Sequence, residues 1–205
     1  MGKIISIIGN LGAGKTTLAR LLCELGSFSP YWESPSERPF SANFTDDHHR
    51  WALTNQIDFF LFRCQQEFTA RKKNQIAIMD GGFDQDFHVF TRHIYNKGYL
   101  IPAEYCVCEG FYHFARSLLP APDLIIRILV DIPTLLERRL SRGRKTIDQP
   151  FTAQELTSLE TLIDDWLTGA CSSPVIAFPF TRDVQDSREE IDSLILQINK
   201  LLLAV

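Results

Sequence analysis

The sequence predicts a single α/β domain: a five-stranded parallel sheet with helices on both faces. Three observations carry this. Short apolar, β-branched runs recur along the chain. Helical patterns separate them, the arrangement that right-handed crossovers turn into a parallel sheet. The first run leads through a glycine-rich turn straight into a helix. A chain of 205 residues can bury one good core but not two, so residues 1–205 are read as one domain.

Each element has its own signal. Ile4 to Ile8 is an apolar run stopped by Gly9, as a strand buried on both faces reads. Leu18, Leu21, Leu22 and Leu25 then recur at helical spacing, and Gly26 stands where a C-terminal cap is expected. A weaker apolar stretch from Phe28 to Glu33 predicts the second strand. Ile76 to Met79, Leu124 to Val130 and Val175 to Phe178 predict the others. The longest helix is expected from about His48 to Arg71, with Leu53, Ile57, Phe60, Leu61, Cys64 and Phe68 in one apolar stripe. Phe59 and Phe62 point away from that stripe. Aromatic residues on two faces predict cover on both, by a second copy of the chain in a homodimer or by another helix of the same chain. Ser34 to Ser41 and Ser141 to Pro150 read as exposed connections.

Composition narrows the function. Hydrophobic residues make up 45% and charged residues 22%, and no apolar run approaches the roughly 20 residues of a membrane span. A formal net charge of −4 argues against an electrostatic nucleic-acid binder, which needs surplus Lys and Arg. Five cysteines form an odd set with no secretory signal ahead of them, so a reducing cytoplasm is expected and a disulfide framework is not. Cys106 and Cys108 lack the second pair of a zinc site.

The glycine-rich turn is Gly9-Asn10-Leu11-Gly12-Ala13-Gly14-Lys15-Thr16, followed by Thr17, and matches G-x-x-x-x-G-K-S/T between a strand and a helix. That is the phosphate loop of a P-loop NTPase. Its backbone N–H groups cradle the phosphates of ATP, and the helix adds its positive dipole end. Lys15 supplies a mobile charge, and Thr16 a hydroxyl for Mg²⁺. Asp80, at the end of the strand Ile76 to Met79, lies where a second metal ligand is expected. Arg138 and Arg142 share a helix face, and Arg144 follows, so the segment at about 138–149 reads as a cationic lid over the triphosphate.

Over nearly its whole length the chain resembles the deoxynucleoside kinases for deoxycytidine, deoxyguanosine and deoxyadenosine. Ile8-Gly9-Asn10-Leu11-Gly12-Ala13-Gly14-Lys15-Thr16-Thr17-Leu18 is close to that family's phosphate loop, and Trp51-Ala52-Leu53-Thr54-Asn55-Gln56 followed by Arg63 matches its base-reading helix. Seven residues are close to two helical turns, so Gln56 and Arg63 emerge on one face. The resemblance implies transfer of the γ-phosphoryl group of ATP to the 5′-hydroxyl of a deoxynucleoside. Glu33 becomes the general base, Gln56, Arg63 and Asp86 the base readers, and Phe90 a stacking ring. A carboxylate at Asp86 accepts from an exocyclic amine and opposes thymine's O4, which favours an amino-bearing base.

Three positions depart from the family. Asp80-Gly81-Gly82 stands where an acidic residue, Arg and Ser are usual. Lys145-Thr146-Ile147 precede Asp148 where two acidic residues follow the lid arginine, and Thr45 replaces a Tyr that helps hold the sugar. These departures leave two alternatives: a P-loop kinase for another small acceptor, and a nucleotide-binding module without turnover.

Overall fold

The computed structural model describes residues 1–33, 38–142, 152–180 and 188–203. The central strand β1 (Lys3–Ile8) is all but sealed, with Ile4, Ile5, Ile7 and Ile8 each fully buried. That is the two-sided burial its unbroken apolar run requires. β1 lies between β3 (Ile76–Asp80) and β4 (Leu124–Leu129); β2 (Phe28–Tyr31) and β5 (Val175–Pro179) form the edges, in the order β2-β3-β1-β4-β5. All four pairings are parallel, so the predicted sheet is present.

Side chains alternate across it. Ile5, Ile7, Ile78, Ile126 and Ile128 face a layer containing α1 (Lys15–Leu25) and α9 (Arg188–Leu203). On the other face, Ile8 and Ile125 pack on α8 (Ala153–Gly169), while Ile4, Ala77 and Met79 meet Ala70 of α3 (His48–Lys72). Outside the sheet α3 packs with α6 (Pro102–Leu118) around Phe60, Phe83, Phe87 and Cys108. Two short helical pieces, α4 (Phe83–Gln85) and α5 (Arg92–Asn96), flank a π-helical turn at Asp86–Thr91. The remaining helices are α2 (Ser41–Asp46) and α7 (Ile132–Arg142). No described helix is long and apolar enough to cross a membrane.

The predicted apolar stripe of α3 needs correction. Leu61 and Phe68 are 51% and 52% exposed, whereas Asn55, Gln56, Arg63, Glu67 and Arg71 are buried together with Ala52, Phe60 and Ala70. The inward face is largely polar because its charges are paired: Arg63 with Glu33 and Asp86, Glu67 with Arg116, and Arg71 with Asp123. Burying a charge is tolerable only with such partners. Phe62 is covered from within the chain, by the guanidinium of Arg38 at 4.7 Å from its ring centre. The helix itself begins as a capped one should, the side chain of Asp47 accepting from Arg50 N at 3.1 Å.

Candidate active site

Parallel pairing places the carboxyl ends of β1 and β3 side by side, with Ile7 opposite Asp80. Open α/β sheets bind ligands at those ends. The loop after β1 turns directly into α1, whose N-cap residue Gly14 is left-handed at φ 100° and makes no side-chain cap bond. A side chain there would also press on the Phe180 ring, 3.0 Å from an added Cβ. The first N–H groups of α1 therefore point outward without a cap from Gly14, as anion binding needs.

The rest of the loop is held from several sides. Asn10 is buried; its Oδ1 accepts from Leu11 N at 2.8 Å, and its Nδ2 donates to Leu156 O at 2.8 Å and Glu160 at 3.0 Å. Gln85 donates to Gly9 O at 2.8 Å. Arg138, expected over the triphosphate, donates instead to the loop carbonyl of Ala13 at 3.2 Å and to Phe180 O at 2.9 Å. Lys15 donates to Gly9 O and Asn10 O, both at 3.0 Å. Burial pulls the pKa of this ammonium below the ordinary lysine value, against the pull of Glu33 and Asp80.

Thr16 and Asp80 come together as the spacing suggested: Thr16 Oγ1 donates to Asp80 Oδ2 at 2.5 Å. Burial raises the Asp80 pKa, while the Thr16 bond and the Lys15 charge oppose the rise. A hydroxyl and a carboxylate side by side are hard oxygen donors of the kind Mg²⁺ takes, with phosphate oxygens and water completing its shell. The residues present thus fit the ion.

Four predicted acceptor residues form one hydrogen-bonded chain. Arg63, 1% exposed, donates through Nη2 to Glu33 at 2.8 Å and through Nε to Asp86 at 3.0 Å. Its Nη1 donates to Gln66 at 3.2 Å, and Gln66 in turn donates to Trp32 O. Burial works against the Arg63 charge, but Asp86 and Glu33 outweigh it and hold the guanidinium above the ordinary arginine range. Burial pushes the Asp86 carboxyl up to about 6, with Arg63 opposing and Glu33 adding to the rise. Thr91 completes the chain: its hydroxyl lies 2.8 Å from Gln56 Oε1 and 2.8 Å from Asp86 O.

The backbone at Gly81 explains one departure from the family pattern. Gly81 has φ +83°, and a Cβ there would stand 2.6 Å from Arg63 Nη2 and 3.3 Å from Glu33 Oε2. The Arg63 guanidinium occupies the ground that a side chain at position 81 would need. Thr45 bonds its own helix, donating to Ser41 O at 3.0 Å. Phe90 is half-buried and packs, with Leu11, against the cluster formed by Ile8, Val89 and α8. The side chain of Arg142, together with Arg144, Lys145, Thr146, Ile147, Asp148 and most of the expected lid, lies outside the described residues.

Gln85 and Thr91 escaped sequence reasoning. Neither belongs to a motif, and both owe their position to the π-helical turn and its approach, which leave no periodic trace in the sequence.

Comparison with known proteins bears on the family and the fold. The family model described as deoxynucleoside kinase matches residues 5–203. The chain is 34% identical over 167 residues to the deoxyguanosine kinase of Bacillus subtilis, covering 79% of this chain and 75% of that one. It is 23% identical over 203 residues to the deoxyadenosine/deoxycytidine kinase of the same organism, covering 98% and 93%. Among solved structures, deoxyadenosine kinase from M. mycoides with bound dATP superposes with a TM-score of 0.80 at 20% identity, over 96% of this chain and 99% of that one, which is agreement in fold.

Proposed function

The chain belongs to the deoxynucleoside kinase family, and from that premise we propose that it transfers the γ-phosphoryl group of ATP to the 5′-hydroxyl of a deoxynucleoside with an amino-bearing base. The observation that carries the reading is the bonded chain Glu33–Arg63–Asp86–Thr91–Gln56, set beside Lys15 and the Thr16–Asp80 pair. It offers an amide and a carboxylate to a nucleobase at one end and a carboxylate to a hydroxyl at the other.

In this mechanism Glu33, held by Arg63, accepts the proton of the 5′-hydroxyl as its oxygen bonds to the γ-phosphorus. The bond from that phosphorus to the β–γ bridging oxygen breaks, and ADP leaves. Lys15 exchanges the carbonyls of Gly9 and Asn10 for phosphate oxygens, and the backbone from Gly12 to Thr17 cradles them. Mg²⁺, held by Thr16 and Asp80, would neutralise charge on the phosphates. Arg138 fixes the loop from behind; Arg142 and Arg144 are assigned to the lid. Phe90, half-exposed one residue before Thr91, is assigned to stack on the base.

We assign the active form as a homodimer in the cytoplasm. The exposed apolar residues Leu61 and Phe68 on α3 adjoin a helix that leaves Val107, Phe114 and Leu118 exposed at 53%, 68% and 67%. A second copy of the chain would cover that patch.

The test is phosphotransfer from ATP·Mg²⁺ to deoxyadenosine, deoxyguanosine, deoxycytidine and thymidine, with ribonucleosides and monophosphates as further acceptors. Turnover is expected on at least one amino-bearing deoxynucleoside, lost in Lys15→Ala. Turnover confined to thymidine, to monophosphates or to no acceptor overturns the proposal.

A further inference from the structure

The hydroxyl of Thr91 faces two oxygens, Gln56 Oε1 and Asp86 O, each at 2.8 Å. Thr91 is fully buried and Gln56 is 4% exposed, so water does not compete for either group. A hydroxyl has one hydrogen to give and lone pairs with which to accept. It donates to one of these oxygens at a time.

Two arrangements therefore keep a hydrogen bond between Thr91 and the Gln56 amide. In one, Thr91 donates to Gln56 Oε1, and the amide turns its N–H donors away from Thr91. In the other, Thr91 donates to Asp86 O, the amide rotates by half a turn about its last torsion, and Nε2 donates to Thr91 Oγ1. The amide then turns its oxygen away from Thr91. The second arrangement exists because the π-helical turn Asp86–Thr91 brings a hydroxyl back onto a carbonyl five residues earlier.

The pairing edges of the bases demand both orders. Adenine and cytosine present an exocyclic amine donor beside a ring-nitrogen acceptor, whereas guanine presents a carbonyl acceptor beside a ring N–H donor. An amide that reads one class must flip to read the other in the same pose.

We infer that Thr91 is a positioning and specificity-determining residue: its two-way hydroxyl holds the Gln56 amide in either orientation, so that one pocket accepts both the adenine and the guanine edge. The inference rests on the proposed reaction and on Gln56 as its base reader. Thr91, fully buried, acts through Gln56.

The experiment compares wild type, Thr91→Val and Thr91→Ser in steady-state phosphotransfer with deoxyadenosine and deoxyguanosine, alongside thermal midpoints. Val keeps the shape of Thr but can neither donate nor accept. Thr91→Val is expected to raise KM about tenfold for both nucleosides, the order of one buried hydrogen bond, with kcat within about twofold. Thr91→Ser restores both KM values to within about twofold of wild type. Wild type that phosphorylates neither nucleoside, or only one of them, overturns this inference; the proposed reaction falls with it only when deoxycytidine is refused too. An active wild type whose KM values do not move in Thr91→Val, or move equally in Thr91→Ser, overturns this inference alone. So does a loss confined to one nucleoside, which assigns the hydroxyl to a single amide orientation. A Thr91→Val protein that melts early and loses kcat as well as KM assigns Thr91 to structure and overturns it too.

Discussion

Replacing Gly81 by Ala separates the role of Arg63 from mere backbone strain, because the chain contains its own control. Gly81 and Gly98 both adopt positive φ, +83° and +76°. Around Gly98 an added Cβ meets nothing within 4 Å, whereas at Gly81 it meets Arg63 Nη2 at 2.6 Å. Gly98→Ala therefore reports the left-handed strain alone, about 1–2 kcal/mol. Gly81→Ala adds the displacement of a buried guanidinium from Glu33, and a hydrogen bond to a charged group contributes about 1.5–3 kcal/mol. Gly81→Ala should thus cost about 3–5 kcal/mol, and at about 2–4 °C per kcal/mol for a domain of this size it should melt well below Gly98→Ala. Activity should divide the pair more sharply. Gly98→Ala keeps kcat/KM for the deoxynucleoside. Gly81→Ala, which loosens the cation shared by Glu33 and Asp86, should lower it about 10- to 150-fold, the kinetic equivalent of the lost bond. Equal melting temperatures for the two variants, or an unchanged kcat/KM in Gly81→Ala, would refute the view that Arg63 requires the empty space at position 81.

Other outcomes follow from the same geometry. Glu33→Gln should lower kcat about 10²–10⁴-fold, the usual reach of a general base, in quenched-flow or steady-state phosphotransfer; a loss under tenfold removes Glu33 from that role. An ionised Asp86 accepts from an amine more strongly than its neutral acid, so kcat/KM for deoxyadenosine should rise as pH rises through about 6; an Asp86→Asn profile with the same rise would place the titration elsewhere. His88 Nε2 lies 3.0 Å from the Tyr112 hydroxyl, its ring stacks on Trp166, and burial lowers its pKa to about 4. A lowered histidine pKa means the unfolded chain takes up the proton first, so this stability is present above about 6.5 and is lost as pH falls toward 4. Between pH 7 and pH 5 the loss is about 2 kcal/mol, and urea denaturation of His88→Phe should lack that part of the acid slope. Leu61→Glu combined with Phe114→Glu should give a monomer in sedimentation equilibrium if the α3–α6 patch joins two copies; an unchanged mass refutes that interface.

The strands were legible because burial on both faces leaves unbroken apolar runs; Ile4 to Ile8 is such a run, and it is sealed. The second strand was faint because it is an edge of four residues containing Pro30, ending at Tyr31 before the chain turns to present Glu33. The donor half of the site was legible because phosphate binding depends on backbone shape, and backbone shape shows as glycines at fixed spacing. The inward face of α3 misled the hydrophobic pattern. Its burial is of ion pairs rather than of apolar groups, and a pattern that equates polar with exposed assigns Leu61 and Phe68 inward and Glu67 and Arg71 outward. Thr91 and Gln85 carried no signal. Their partners, Gln56 Oε1 and Gly9 O, are remote in sequence and are brought close by the π-helical turn.

The two halves of the site differ in how much must change when substrates arrive. On the donor side the polar groups satisfy one another: Lys15 holds loop carbonyls, and Thr16 holds Asp80. Each bond must open for a triphosphate and its ion to enter. The raised Asp80 pKa belongs to the unliganded state, because a divalent cation beside the carboxylate would favour its ionised form. On the acceptor side Arg63 already grips Glu33 and Asp86 from a buried position, and Gln66 secures it from behind. On the proposed assignment, a neutral nucleoside would enter there without parting these ion pairs. Its 5′-hydroxyl would then have only to reach the second oxygen of Glu33, since Arg63 occupies Oε2. The acceptor half is thus organised in advance of the reaction, which is where fixed dipoles and charges lower a barrier most. The donor half exchanges internal bonds for phosphate bonds, so its binding energy is partly consumed by opening the loop. Substitutions among Glu33, Arg63 and Asp86 should accordingly act on the chemical step and the nucleoside KM, and those at Lys15, Thr16 and Asp80 on the ATP KM as well as on kcat.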